Sequence, residues 1–277
     1  MAGMKRSGKS SPGRAPALFR IIYVLFFLLP LFYLLVRSFA GVWSFPSLLP
    51  DSWSVRAWRY FGEYSAEIFS ALGSSVLYSF TAALLSLAIA LFPARVLARR
   101  KFRGRIIVES LMLAPLVIPA LVFTLGIYPY LLRSGTADSF AAVAGVLAII
   151  NYPYMLRSLT SGFESYGPGL DTAARMLGAG MLRRLRDIHL PQLLPAILAG
   201  ATVVFLASFT EYFVVFLVGG GRVPSFAGYL LPLLRSSEWS ISSLMTLMFL
   251  AIPLALYAVL STLIDGYYRK RGISRDR

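Results

Sequence analysis

The sequence predicts an all-α integral membrane protein with six transmembrane helices and a long basic loop between the fourth and fifth. Three observations carry that expectation. Hydrophobic residues make up 57% of the 277 residues and charged residues only 14%, with a mean hydropathy of +0.70, whereas soluble domains carry about 25% charge. The apolar residues gather into six runs, most of them near the roughly 20 residues that cross a hydrocarbon core. The basic residues gather between those runs, mostly on alternate sides. Helices are the expected form, because an unpaired backbone group in lipid is costly.

Residues 1–16 are rich in Lys, Arg, Ser, Gly and Pro and read as a disordered basic tail. Gly3, Gly8, Lys9 and Ser10 match the nucleotide-binding P-loop pattern, but a working P-loop follows a buried strand and only two residues precede this one. The match is therefore rejected. The spans are expected at 17–36, 68–93, 106–132, 140–156, 193–218 and 241–264. The first is too long for the apolar core of a signal peptide, and five more follow it. The fourth is short and has room to extend by a turn. Gly219, Gly220 and Gly221 suit a sharp turn into 222–240, where 226–234 reads as a short re-entrant or interfacial helix, or else as flexible loop. This gives a transmembrane domain over 17–267, with the long loop at 157–191, and a second basic tail at 268–277.

The net charge of +15 fits nucleic acid in principle, but its distribution argues for a membrane. With both termini inside, the outer segments keep only Arg37, Arg56, Arg59, Arg133, Arg222 and Arg235. That asymmetry is the positive-inside pattern. It places both termini and the 157–191 loop in the cytoplasm, and it favours contact with anionic lipid headgroups. The chain has no cysteine and one histidine, His189. Disulfides, thiolate or His-based metal sites and Ser–His catalysis are accordingly not expected, and no catalytic or metal-binding residue is assigned.

The loop is the informative stretch. Pro168 and Gly169 break the chain, and Asp171 is placed to cap a helix and put negative charge at its positive end. Thr172, Ala173 and Ala174 give that helix a small-residue face, and Gly178 and Gly180 interrupt it. A second amphipathic piece follows, with Met181, Leu182, Leu185 and Ile188 on one face and Arg183, Arg184 and Arg186 beside it. Pro191 marks the start of the fifth span. From composition, a projecting helix–turn–helix that fits a partner's groove and an amphipathic segment lying on headgroups both stand.

The spacing Thr172-Ala173-Ala174, then Gly178, then Ile188, Leu190 and Pro191 resembles the coupling loop of binding-protein-dependent ABC importer permeases. That pattern reads Glu-Ala-Ala, three residues, Gly, nine residues, Ile, one residue, Leu-Pro. Thr172 replaces the usual Glu, and Asp171 is placed to supply part of the missing charge. Pro115, Pro119 and Gly126 in the third span, and Ser208 to Phe213 at the end of the fifth, are similar to spermidine/putrescine-type permeases. The resemblance covers about residues 65–265. It implies a permease subunit of the bacterial inner membrane with no ATPase site of its own. Its implied partners are a cytoplasmic ATPase dimer that binds ATP and Mg, a second permease subunit (identical or related), and an extracytoplasmic substrate-binding protein. It implies no cofactor in this chain. Asp171, Thr172, Ala173, Ala174, Leu177, Gly178, Ile188, Leu190 and Pro191 become the coupling residues. The cargo implied is a small polar or cationic solute such as a polyamine.

Three polar residues within the spans are candidates for the translocation path. Glu211, counted as deep in the fifth span, fits a cationic cargo or a gate, or else a structural hydrogen bond or a pairing with a second permease. Asn151 lines the path or bonds a neighbouring helix. Thr210 adjoins Glu211. Glu109 has a plain i−4 partner in Arg105. Two rival classes are an ion- or proton-coupled secondary transporter, which would show paired intramembrane acids or inverted repeats, and a membrane enzyme, for which the single histidine is a poor start.

Overall fold

A computed structural model describes residues 14–44, 46–167 and 169–270. The P-loop-like tail, Pro168 and the last residues of the C-terminal tail lie outside them. Helices are the regular structure of the described chain, with no strand among the described residues. It divides into two compact units, Met1–Glu63 with Leu233–Met248 and Tyr64–Pro232 with Phe249–Arg277.

The smaller unit holds α1 (Arg14–Ser38) and α2 (Arg56–Glu63). Phe26, Leu29 and Phe32 of α1 stay exposed, as expected of a helix whose solvent is lipid. The loop between the helices is pinned by polar contacts. Arg37 lies 5.1 Å over the Trp43 ring, Gly41 N–H donates to the Ser52 carbonyl at 2.8 Å, and Phe39 stacks on Trp58. Arg56 pairs with Glu238 at 2.7 Å.

The larger unit is built on α3 (Ser65–Arg99) and α6 (Phe140–Ser165). Tyr78 clusters with Val143 and Leu147, whereas Ala94 and Leu97 cluster with Leu159 and Phe163. The two helices therefore run parallel, as alternate spans must. α4 (Arg105–Met112), a 3-10 turn at Ala114–Leu116 and α5 (Ala120–Arg133) stand where one continuous third span was expected. Pro115 and Pro119 each lack a backbone N–H, so the ladder breaks between them.

After α6 come α7 (Gly169–Met176), α8 (Met181–Arg184), a π turn at Leu185–His189, and α9 (Leu190–Phe209). α9 is antiparallel to α6. Ser208 meets Asn151, Gly200 meets Met155, and Ala196 meets Gly162. A Cβ on Gly200 would stand 2.8 Å from Met155 Sδ, and one on Gly162 would stand 2.6 Å from Ala196 Cβ. Close helix approach through small residues is how packing succeeds where lipid removes the hydrophobic drive. Hydroxyls supplement it, with Ser86 Oγ donating to the Ala148 carbonyl at 3.1 Å and Ser158 Oγ to that of Ala196 at 2.7 Å.

The expected fifth span is also interrupted. α9 ends at Phe209, residues 210–212 leave the helix, and α10 (Phe213–Gly219) resumes it. The glycine turn follows, with Gly220 and Gly221 at positive φ. Then α11 (Phe226–Arg235) forms over the segment read as a short helix, and α12 (Trp239–Lys270) closes the described chain. The fourth span extends well past its expected end, to Ser165. Among the described residues, four helices are long and apolar enough to cross a bilayer: Ser65–Arg99, Phe140–Ser165, Leu182–Phe209 and Trp239–Leu260. Ile22–Ser38 and Ala120–Arg133 are shorter apolar helices.

Candidate functional site

The loop between α6 and α9 folds as α7 followed by a helix continuous with the fifth span. The expected second helix does not stand alone. The π turn at Leu185–His189 joins α8 directly to α9, and Pro191, which has no N–H to give to the preceding turn, sits just after it in the first turn of α9. Leu182 is 80% exposed and Leu185 is exposed as well, so the predicted apolar face is not buried within the chain.

α7 ends on Gly178. Leu177 N–H donates to the Ala173 carbonyl, Gly178 N–H to that of Arg175, and Ala179 N–H to that of Ala174. Gly178 takes φ +76, the left-handed value a helix C-terminus needs and a side chain resists. Thr172 and Ala173 are exposed on this helix and Ala174 is half-buried. At the tip Met176 and Leu177 are 85% and 88% exposed. Ile188 and Pro191 are half-buried and Leu190 is exposed.

Asp171 departs from its expected place. α7 begins at Gly169, so Asp171 lies in the first turn rather than at the cap. Its carboxylate turns inward to three basic groups. Arg184 Nη1 is 2.9 Å from Oδ1, His189 Nε2 is 3.1 Å from the same oxygen, and Arg95 Nη2 is 3.4 Å from Oδ2. The side chain is 18% exposed, so it does not present the outward charge that would stand in for the missing Glu at 172. Burial alone would raise this carboxyl. The charges of His189, Arg184 and Arg95 outweigh burial and hold it below its ordinary value.

His189, 3% exposed, is the other half of the arrangement. Its Nδ1 lies 2.9 Å from the Tyr166 hydroxyl, and Nε2 faces Asp171 at ion-pair distance without hydrogen-bond alignment. Arg99 covers the Tyr166 ring at 4.8 Å. The cluster ties α7 to the end of α3 and to the turn before α9. In the sequence His189 stands at the open position between Ile188 and Leu190 of the coupling pattern. No short-range spacing links Asp171 to Arg95, Arg184 or His189, so only the folded chain brings them together.

The path candidates do not converge on one site. Asn151 is buried and donates from Nδ2 to Ser208 Oγ at 3.2 Å, a helix–helix bond. Thr210 is exposed and donates to the Leu206 carbonyl of its own helix at 3.0 Å. Glu211 lies in the break between α9 and α10, not inside a continuous helix, and its Oε1 accepts from Val214 N–H at 3.4 Å. Around the break runs a ladder of stacked rings, Phe205–Phe209–Phe249–Phe226. Glu109 does meet Arg105, at 4.0 Å, and Arg105 also reaches Glu164 at 3.7 Å.

The profile of binding-protein-dependent transport system inner membrane components matches residues 86–270. The chain belongs to that family. Among curated members, it is 32% identical over 145 residues to the molybdate/tungstate transport system permease protein WtpB of Pyrococcus abyssi, covering 52% of this chain and 58% of that one. It is 28% identical over 166 residues to the sulfate transport system permease protein CysT of Salmonella typhimurium, covering 56% and 60%. The chain thus spans less than two thirds of the length of these relatives. A crystal structure of a bacterial ABC transporter that imports the acidic polysaccharide alginate superposes with a TM-score of 0.67 at 18% identity, over 92% of this chain and 99% of that one. A likeness at that identity concerns the fold, which is the all-α membrane fold of this family. The family places the chain among multi-pass inner membrane proteins that serve transport.

Proposed function

We propose that this inner membrane component is the permease subunit of an ATP-binding-cassette importer, forming half of a solute path and gripping a separate ATPase through α7. The observation that carries the reading is the exposed tip of Met176, Leu177 and Leu182, outside the apolar core of the spans yet left bare by the chain itself. Such a patch marks a docking surface. Thr172, Ala173 and Ala174 allow the close approach of a groove, and Ile188, Leu190 and Pro191 set where the hairpin joins α9. A second permease, identical or related, supplies the other half of the path. ATP and Mg belong to the ATPase, and a soluble binding protein delivers cargo on the opposite face. ATP binding moves the permease only by favouring one conformer over the other, and the hairpin carries that preference to the spans.

For the cargo, a small oxyanion is the better-supported class. Curated relatives are named for molybdate, tungstate and sulfate, and the Glu211 carboxylate faces the N-terminus of α10, where it is less available to a cation such as a polyamine.

The test uses the absence of cysteine. Leu177→Cys introduces a single thiol into a chain that has none. With a cognate ATP-binding-cassette ATPase co-expressed, a short bifunctional crosslinker is expected to join the two proteins through that thiol. The thiol is also expected to react with an impermeant reagent only after the inner face is opened. A thiol that labels from outside intact cells ends the assignment.

A further inference from the structure

Beneath α7 lies a cavity of about 700 Å³ whose charge is out of balance. Arg95, Arg99, Arg100, Arg175 and Arg184 line it against a single carboxylate, Asp171. That carboxylate is already engaged by Arg184, Arg95 and His189. Two guanidinium nitrogens, Arg99 Nη2 and Arg184 Nε, are buried there without a hydrogen-bond partner. Buried polar groups of this kind are normally satisfied, and guanidinium forks match phosphate oxygens. Phe92 and Val96 also line the cavity, and Phe92 is 71% exposed. The arginines begin where the apolar run of α3 ends, at headgroup depth for a crossing helix.

We propose that this cavity binds a phosphate group, presented by an anionic glycerophospholipid whose acyl chain lies along Phe92. The phosphate oxygens accept from Arg99 and Arg184, and Arg100 and Arg175 close the open side. Basic pockets between helices at the inner leaflet recognise headgroups in this way. The site does not depend on the ATPase assignment, since every group that forms it belongs to this chain.

The test is titration of the purified full chain with phosphatidylglycerol, with phosphatidylcholine, and separately with inorganic phosphate, read by native mass spectrometry and by thermal unfolding. Phosphatidylglycerol is expected to bind saturably and raise the melting temperature, and phosphatidylcholine to do neither. Arg99→Gln and Arg100→Gln are each expected to weaken binding about fivefold, while Arg133→Gln, remote from the cavity, leaves it unchanged. Arg100 is exposed, so its substitution reports on binding even where Arg99→Gln fails to fold. Inorganic phosphate that binds where phosphatidylglycerol does not, with the same Arg dependence, keeps the phosphate site and assigns it to a free anion. Phosphatidylglycerol binding that ignores both arginines, or no preference over phosphatidylcholine, overturns the proposal.

Discussion

The Asp171 carboxylate stands 2.9 Å from the Arg184 guanidinium, thirteen residues along the chain, and this pair closes the base of the hairpin between α6 and α9. Arg95 brings in α3 from the other side. A hairpin pinned at its base to two helices moves with them, whereas an untethered one would swing without moving the spans.

Asp171→Asn is therefore expected to loosen the hairpin and cost about 1–3 kcal/mol, the loss that follows when a buried charged group keeps its place without its partner. Uptake falls further than ATPase docking, because the tip is unchanged. The pH dependence follows from the depressed carboxyl. Its stabilisation is fully present above the ordinary carboxylate range and is lost as pH falls through the lowered value. The difference in melting temperature between wild type and Asp171→Asn should stay flat from about pH 5 to 8 and shrink on acidification below about pH 4. A difference that instead changes just below about pH 6.5, where a His189 held under its ordinary value by burial takes up its proton, would shift the role to His189.

Ala173→Arg is expected to abolish coupled uptake with membrane insertion intact, since a guanidinium on the exposed small-residue face blocks close approach. Gly178→Trp acts on the turn itself, where φ +76 penalises any side chain by about 1–2 kcal/mol. Co-purification of the ATPase and solute uptake in vesicles check both. Normal values in both variants would remove α7 as the docking element.

Much of this was legible along the chain. The apolar runs, the Gly178 stop and the basic asymmetry are local signals, and the helices follow them. Two features were hidden. Pro115 and Pro119 were visible as residues, but a proline within a span either kinks the helix or breaks it, and packing decides which. Asp171 looked like a cap because capping is a local rule, and its real partners come from α3, 76 residues earlier, from α8 and from the turn before α9. Long-range ion pairs leave no periodicity behind.

Gly200→Leu tests the α6–α9 contact. The added side chain meets Met155 and Ser158 within 3.1 Å of its first carbon, and overpacking of this kind costs about 1–3 kcal/mol. The variant should insert, unfold at lower temperature in detergent, and lose uptake. Gly126→Leu, where a Cβ meets nothing within 4 Å, should be nearly silent. Equal melting temperatures for the two would mean that α6 and α9 are not tightly apposed.

Glu211→Gln separates a capping role from a cargo role. The amide oxygen still accepts from Val214 N–H, so the α9–α10 break should survive and the melting temperature should move by less than about 1 kcal/mol equivalent. If the carboxylate only shapes the break, uptake of an oxyanion such as sulfate or molybdate is unchanged in reconstituted vesicles holding the full importer. If it screens charge in the path, removing it lowers the barrier to anions and raises their uptake, and a cationic cargo such as putrescine would lose uptake instead. Because the three outcomes differ in sign, one substitution measured against two cargos of opposite charge decides what Glu211 does and which class of solute the path was built for.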